Sequence, residues 1–116
     1  MNLEQFYETV GGNLNEVRAR LAKDERILKY LRKFVDSPDY DGLVSALEQS
    51  NYADAFRFSH NLKGVAANLG LQSLYEVSSA LCEELRNGEP KVDVTDMLKA
   101  VTEKNKEAKE AIGLLD

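Results

Sequence analysis

The sequence predicts an all-α fold: an antiparallel up-and-down four-helix bundle with short N-terminal helices capping one end. Apolar residues recur at spacings of three and four along the whole chain, and only helical signals appear. The segments are separated by brief Gly, Pro or Asn punctuation, and short turns make successive helices antiparallel neighbours. At 116 residues there is material for one hydrophobic core and not two, so 1–116 is read as a single domain.

Leu3, Phe6, Tyr7 and Val10 form the first apolar stripe, after a cap at Asn2, and Gly11 and Gly12 end it. Asn13 opens a second short helix, with Glu16 at the capping-box position and a narrow stripe of Leu14, Val17 and Leu21. Asp24 begins the next segment, whose apolar side is Ile27, Leu28, Leu31, Phe34 and Val35. Pro38 interrupts it, because proline removes a helical hydrogen bond and disfavours helix at Ser37. Leu43, Val44 and Leu47 then resume the pattern to about Gln49. One helix kinked at Pro38 and two separate helices satisfy this pattern equally. Asn51 caps the following helix, with Asp54 where a capping box places an acid, and Gly70 stops it in the left-handed conformation. Leu71, Leu74, Val77, Ser78, Leu81 and Leu85 line the next helix as far as Asn87 and Gly88, and 88–91 is a turn. The last helix runs from about 93 to 114. Its seam is Val94, Met97 or Leu98, Val101, Asn105, Ala108, Ile112 and Leu115, with Asn105 as the polar member.

Hydrophobic residues are 43% of the chain and charged residues 30%, a soluble globular composition. No apolar run is long enough to cross a bilayer. The N-terminus, MNLEQFYE, lacks the hydrophobic stretch of a signal peptide, so the expected location is the cytoplasm. A lone cysteine, Cys82, excludes an internal disulfide and reads as a small packed residue. The net charge of −5, with lysines and glutamates interspersed on solvated faces, argues against nucleic acid as a partner. One histidine and one cysteine exclude a His/Cys metal cluster, and no Gly-rich phosphate loop is present. Neither a metal nor a cofactor is therefore expected, and there is no visible means of using ATP. The acids fall on charged helix faces, and none forms a pair isolated among apolar residues. That weighs against an acid/base enzyme.

The stretch 51–71 holds the only histidine, His60. At 100° per residue, Ala55, Phe58, Leu62, Val65, Ala66 and Leu69 fall on the side away from it and form the buried stripe. Ala53, Phe56, Arg57, Lys63, Gly64 and Ala67 share its side, so His60 projects away from the core. Gly64, one turn on, costs about 1 kcal/mol in a helix interior relative to alanine, and the missing side chain clears space beside the imidazole. Lys63 brings an ammonium to the same face. An imidazole that carries a phosphoryl group needs both an open approach and a cation for the incoming charge.

The string His60-Asn61-Leu62-Lys63-Gly64, followed by Val65-Ala66-Ala67-Asn68-Leu69-Gly70-Leu71, resembles the signature of histidine-containing phosphotransfer (HPt) domains of multistep phosphorelays. The resemblance extends over most of the chain, and the family fold agrees with the bundle read from periodicity. It implies that His60 accepts a phosphoryl group from the aspartate of one receiver domain and passes it to another. It further implies that Lys63 neutralises the phosphoryl oxygens and that Gly64 is kept bare for access. Magnesium and most of the assistance to transfer would come from the receiver. Gln72 and Arg86 match positions that flank the histidine in some members; for both, a solvated helix face is an equal reading. The implied partners are response-regulator receiver domains, that of a hybrid histidine kinase being one candidate.

Ala53, Phe56, Gly64 and Ala67 surround His60 with apolar and small groups, as a docking surface would. Phe56 either meets a partner or folds partly under a neighbouring helix. Arg57 and Arg86 meet either receiver acids or solvent. The Met1 start and the absence of a linker favour a free-standing domain, expected to be monomeric. The rival reading is a helical interaction module that binds a signalling partner and carries no phosphate.

Overall fold

At Pro38 the chain breaks into two helices. The computed structural model describes residues 1–116, and its elements are α1 (Leu3–Val10), α2 (Leu14–Leu21), α3 (Asp24–Val35), α4 (Asp39–Glu48), α5 (Tyr52–Asn68), α6 (Gln72–Leu85) and α7 (Thr95–Ile112). The Asp36 and Ser37 amides close α3 on the carbonyls of Lys33 and Phe34, and the Asp39 amide then donates to the Ser37 hydroxyl to start α4. Proline lacks the amide hydrogen that would have continued the ladder.

α4 packs along α5, α5 along α6 and α6 along α7, while α3 lies against α7 and α2. The bundle therefore has four columns, formed by α3 with α4, by α5, by α6 and by α7. It measures 41 × 23 × 20 Å. Phe6, Val17, Ile27, Leu31, Leu43, Leu62, Leu74, Leu81, Leu85 and Val101 are fully or almost fully buried, so every helix contributes to one core. On α7 the seam residues Val101, Asn105, Ala108 and Ile112 are buried, Ala111 is buried beside them, and Val94, Met97, Leu98 and Leu115 are half-buried at its ends. The Asn105 Oδ1 atom is buried without a partner. Cys82 is a buried free thiol.

Several stripe residues are less buried than their spacing implied. Val35 is 38% exposed, and Phe58, Val65 and Val77 are only half-buried, because each lies at the edge of its helix's packed face.

The end of α5 is tied down more thoroughly than any other helix terminus. Asn51 caps its start, accepting from the Asp54 amide. At its end Gly70 takes φ +65°, where a side chain would be strained. The Leu71 and Gly70 amides donate back to the carbonyls of Ala66 and Ala67, which is the Schellman closure. The N-terminal lid supplies the remaining donors. The Tyr7 hydroxyl donates to the Leu69 carbonyl at 2.7 Å, and Arg20 donates to the carbonyls of Ala67 and Asn68 at 2.8 and 2.9 Å. The Asn13 amide donates to the Gly70 carbonyl at 3.0 Å. Burial pushes the Tyr7 phenol up, so it remains a donor across the neutral range. A guanidinium at this terminus also opposes the negative end of the helix dipole. The lid thus fixes the far end of the helix that carries His60.

Candidate functional site

α5 is one uninterrupted helix of 17 residues, and His60 sits near its middle on the solvent side. The opposite face is packed: Ala55, Leu62 and Ala66 are buried, and Leu69 just beyond the helix is too. Ser59 is also buried and satisfies its hydroxyl by donating to the Phe56 carbonyl at 2.9 Å. Rotation of the helix would expose this face, so burial holds the imidazole outward.

Along the exposed ridge the neighbours of His60 are small. Ala53, Gly64 and Ala67 are exposed, and a Cβ added to Gly64 would meet no atom within 4 Å. Nothing in the fold requires glycine there: the position has helical backbone and open space. Lys63 is half-buried and enters no ion pair; the salt bridges of the molecule all involve other cations. An ammonium one turn from the imidazole is therefore available to an incoming anion.

The ring of His60 makes no hydrogen bond with another residue. It is oriented instead by stacking on Phe56, with centroids 6.0 Å apart and planes inclined by 28°. Phe56 is half-buried against the core, so of the two alternatives it folds at least partly into the bundle. It divides its surface between the bundle and the imidazole. Arg86, projecting from the end of α6, lies 5.7 Å from the Phe56 centroid and pairs with Glu83 at 3.0 Å. That carboxylate holds the guanidinium above its ordinary pKa. Arg86 thus reaches the site through Phe56 and not by direct contact with His60.

Two residues expected around the histidine are oriented elsewhere. Arg57 is 3.6 Å from Asp54 and lies 4.4 Å over the Phe58 ring, turned towards α4. Gln72 is exposed at the start of α6 and donates to Glu76 at 3.3 Å. Sequence reasoning missed Tyr7 and Arg20, which anchor the end of α5 from across the fold. Their sequence separations, 62 and 47, leave no local signal.

The profile of the Hpt domain family matches residues 2–111. The chain belongs to the Hpt domain family. The match spans both lid helices and all four columns of the bundle. No curated protein and no solved structure matches the chain. Hpt domains are histidine-containing phosphotransfer modules of phosphorelays; they exchange phosphoryl groups with receiver domains and are phosphocarriers, not kinases. No helix of this Hpt domain is long and apolar enough to cross a membrane, and no group of His, Cys, Asp and Glu side chains is placed to hold a metal ion.

Proposed function

We propose that this Hpt domain is a phosphocarrier that accepts a phosphoryl group on His60 from a receiver aspartate and returns it to the aspartate of another receiver. The observation that carries this reading is the open, cation-flanked imidazole: exposed, stacked on Phe56, with an unpaired Lys63 and vacant space at Gly64. In the forward step a neutral ring nitrogen attacks phosphorus. The N–P bond forms, the bond from phosphorus to the aspartyl oxygen breaks, and the carboxylate leaves with the electron pair. The imidazolium then gives its remaining N–H proton to water. The same bonds form and break in reverse on the second receiver. Lys63 offsets the charge of the phosphoryl oxygens, and the small residues Ala53, Gly64 and Ala67 let the receiver approach closely. Arg86 borders this surface through Phe56, whereas Arg57 and Gln72 would have to leave Asp54 and Glu76 to join it.

A radiolabelled phospho-receiver mixed with the domain should transfer an acid-labile, alkali-stable label. His60→Gln should abolish labelling while circular dichroism shows an unchanged helical fold. Equal labelling of the His60→Gln protein would sink the assignment. Binding to receivers without label on the wild type would favour the interaction-module reading.

A further inference from the structure

The cations of this acidic protein are not evenly interspersed, contrary to the composition-level reading. Between Arg18 and Lys33 the chain has seven basic residues and two acids, a local charge of +5 in a protein of net charge −5. Only Arg18 of the seven is neutralised, by Glu4 and Asp24. Arg20, Lys23, Arg26, Lys29, Arg32 and Lys33 are exposed and enter no ion pair. Unpaired like charges on one short helix repel one another, so the fold gains nothing from their grouping.

Their placement relative to His60 gives the grouping a use. Arg26, Tyr30 and Lys33 recur on one side of α3, and Lys33 lies over the Tyr30 ring at 5.6 Å. Tyr30 and Lys33, with Phe34 and Ser37, form one wall of a groove of about 200 Å³ whose other wall is Val65, Asn68 and Leu69 at the end of α5. Arg20 bridges the same region through its bonds to the Ala67 and Asn68 carbonyls. Asn68 is eight residues beyond His60, about 12 Å along the helix. A standard protein interface covers about 800 Å² per partner, a disc of radius about 16 Å, so a partner centred on His60 reaches this wall. No carboxylate lines this groove; Glu25 lies with Arg26 and Tyr30 beyond it, and Asp36 and Asp39 adjoin Ser37 along the chain. Asp39 is already held by the Ser37 hydroxyl and by Asn61.

Resting on the phosphocarrier reading above, we propose that Arg20, Arg26, Tyr30 and Lys33 extend the docking face of His60 and receive an acidic rim around the phospho-aspartate of the partner receiver. A site that holds a phosphorylated carboxylate concentrates negative charge, and a basic wall beside the acceptor histidine complements it. Charge of this kind acts mainly on the association rate and its salt dependence, with little effect on the chemical step. The apolar floor of the groove, from Phe34, Val65 and Leu69, suits a protein side chain better than a polyanionic backbone.

The test uses a receiver domain charged with acetyl phosphate that labels the wild-type protein. The double variant Arg26→Glu/Lys33→Glu should lower the second-order labelling rate about tenfold at about 0.05 M salt, and the deficit should close at about 0.5 M. Lys99→Glu/Lys106→Glu makes the same charge change on the exposed side of α7 and should cost much less. Equal rates for both double variants and the wild type, or equal losses for both, would overturn the proposal while leaving the His60 reading intact. No labelling of the wild type by any receiver would remove both. Salt-sensitive binding of a duplex oligonucleotide lost in Arg26→Glu/Lys33→Glu, with labelling unaffected, would reassign the wall to nucleic acid.

Discussion

Gly42 in α4 and Gly64 in α5 both occupy helix interiors, where each costs about 1 kcal/mol against alanine. Their surroundings are opposite. A Cβ on Gly42 would stand 2.5 Å from two ring atoms of Phe58, whereas one on Gly64 would meet nothing. The first glycine lets α4 and α5 approach with a phenylalanine between them. The second has no packing partner, so the fold does not explain it; under the proposed phosphocarrier role the space would admit a receiver. One residue type at two mid-helix positions thus separates what the bundle requires from what it leaves open.

The comparison is broken most directly at Gly64. Gly64→Gln should fold at least as well as the wild type, with Tm raised by about 2 °C through helix propensity, while phosphoryl transfer falls by about a hundredfold. Thermal denaturation and labelling by a phospho-receiver test the two halves separately; unchanged transfer would mean that the open space serves no partner. Gly42→Ala should behave in the opposite manner. The crowded Phe58 ring, covered on one face by Arg57, has to move, and overpacking outweighs the propensity gain by about 1 kcal/mol. Its Tm should drop by about 4 °C, and transfer below the melting range should match the wild type.

The smallest effect concerns acid. Arg18 holds the carboxyls of Glu4 and Asp24 below their ordinary pKa values by hydrogen bonds that join α1, α2 and α3. Groups whose folded pKa is depressed contribute stability above their unfolded values, and it is lost as pH falls through the folded ones. Denaturant melts should therefore show a modest loss beginning below about pH 5 and continuing below pH 4. The wild type, Gly42→Ala and Gly64→Gln should lose the same amount, since this cluster touches neither glycine. A steeper loss in Gly42→Ala would show that the lid and the α4–α5 contact are coupled.

What could be read from the chain was what local chemistry controls. The Asn51 cap, the Gly70 stop, the outward direction of His60 and the vacancy at Gly64 all follow from offsets within one helix. The α7 seam followed for the same reason, Asn105 included. Contacts between distant segments could not be read this way. The reason for Gly42 is a ring 16 positions away, and the anchors of α5 are Tyr7 and Arg20 in the lid. Phe56 was ambiguous because helical angle alone does not say how far α6 reaches around it. The rivalry at Pro38 was decided by where the chain found replacement hydrogen bonds, and Ser37 supplied them.

The stack of Phe56 on His60 has a practical consequence. With one histidine in the chain, its carbon-bound ring protons give the only imidazole resonances in a proton magnetic resonance spectrum, and the neighbouring phenyl ring current displaces them. Loading or unloading of the nitrogen, or capture by a partner that parts the two rings, would move those lines. The native molecule therefore carries its own gauge of occupancy, readable without a label or an added probe.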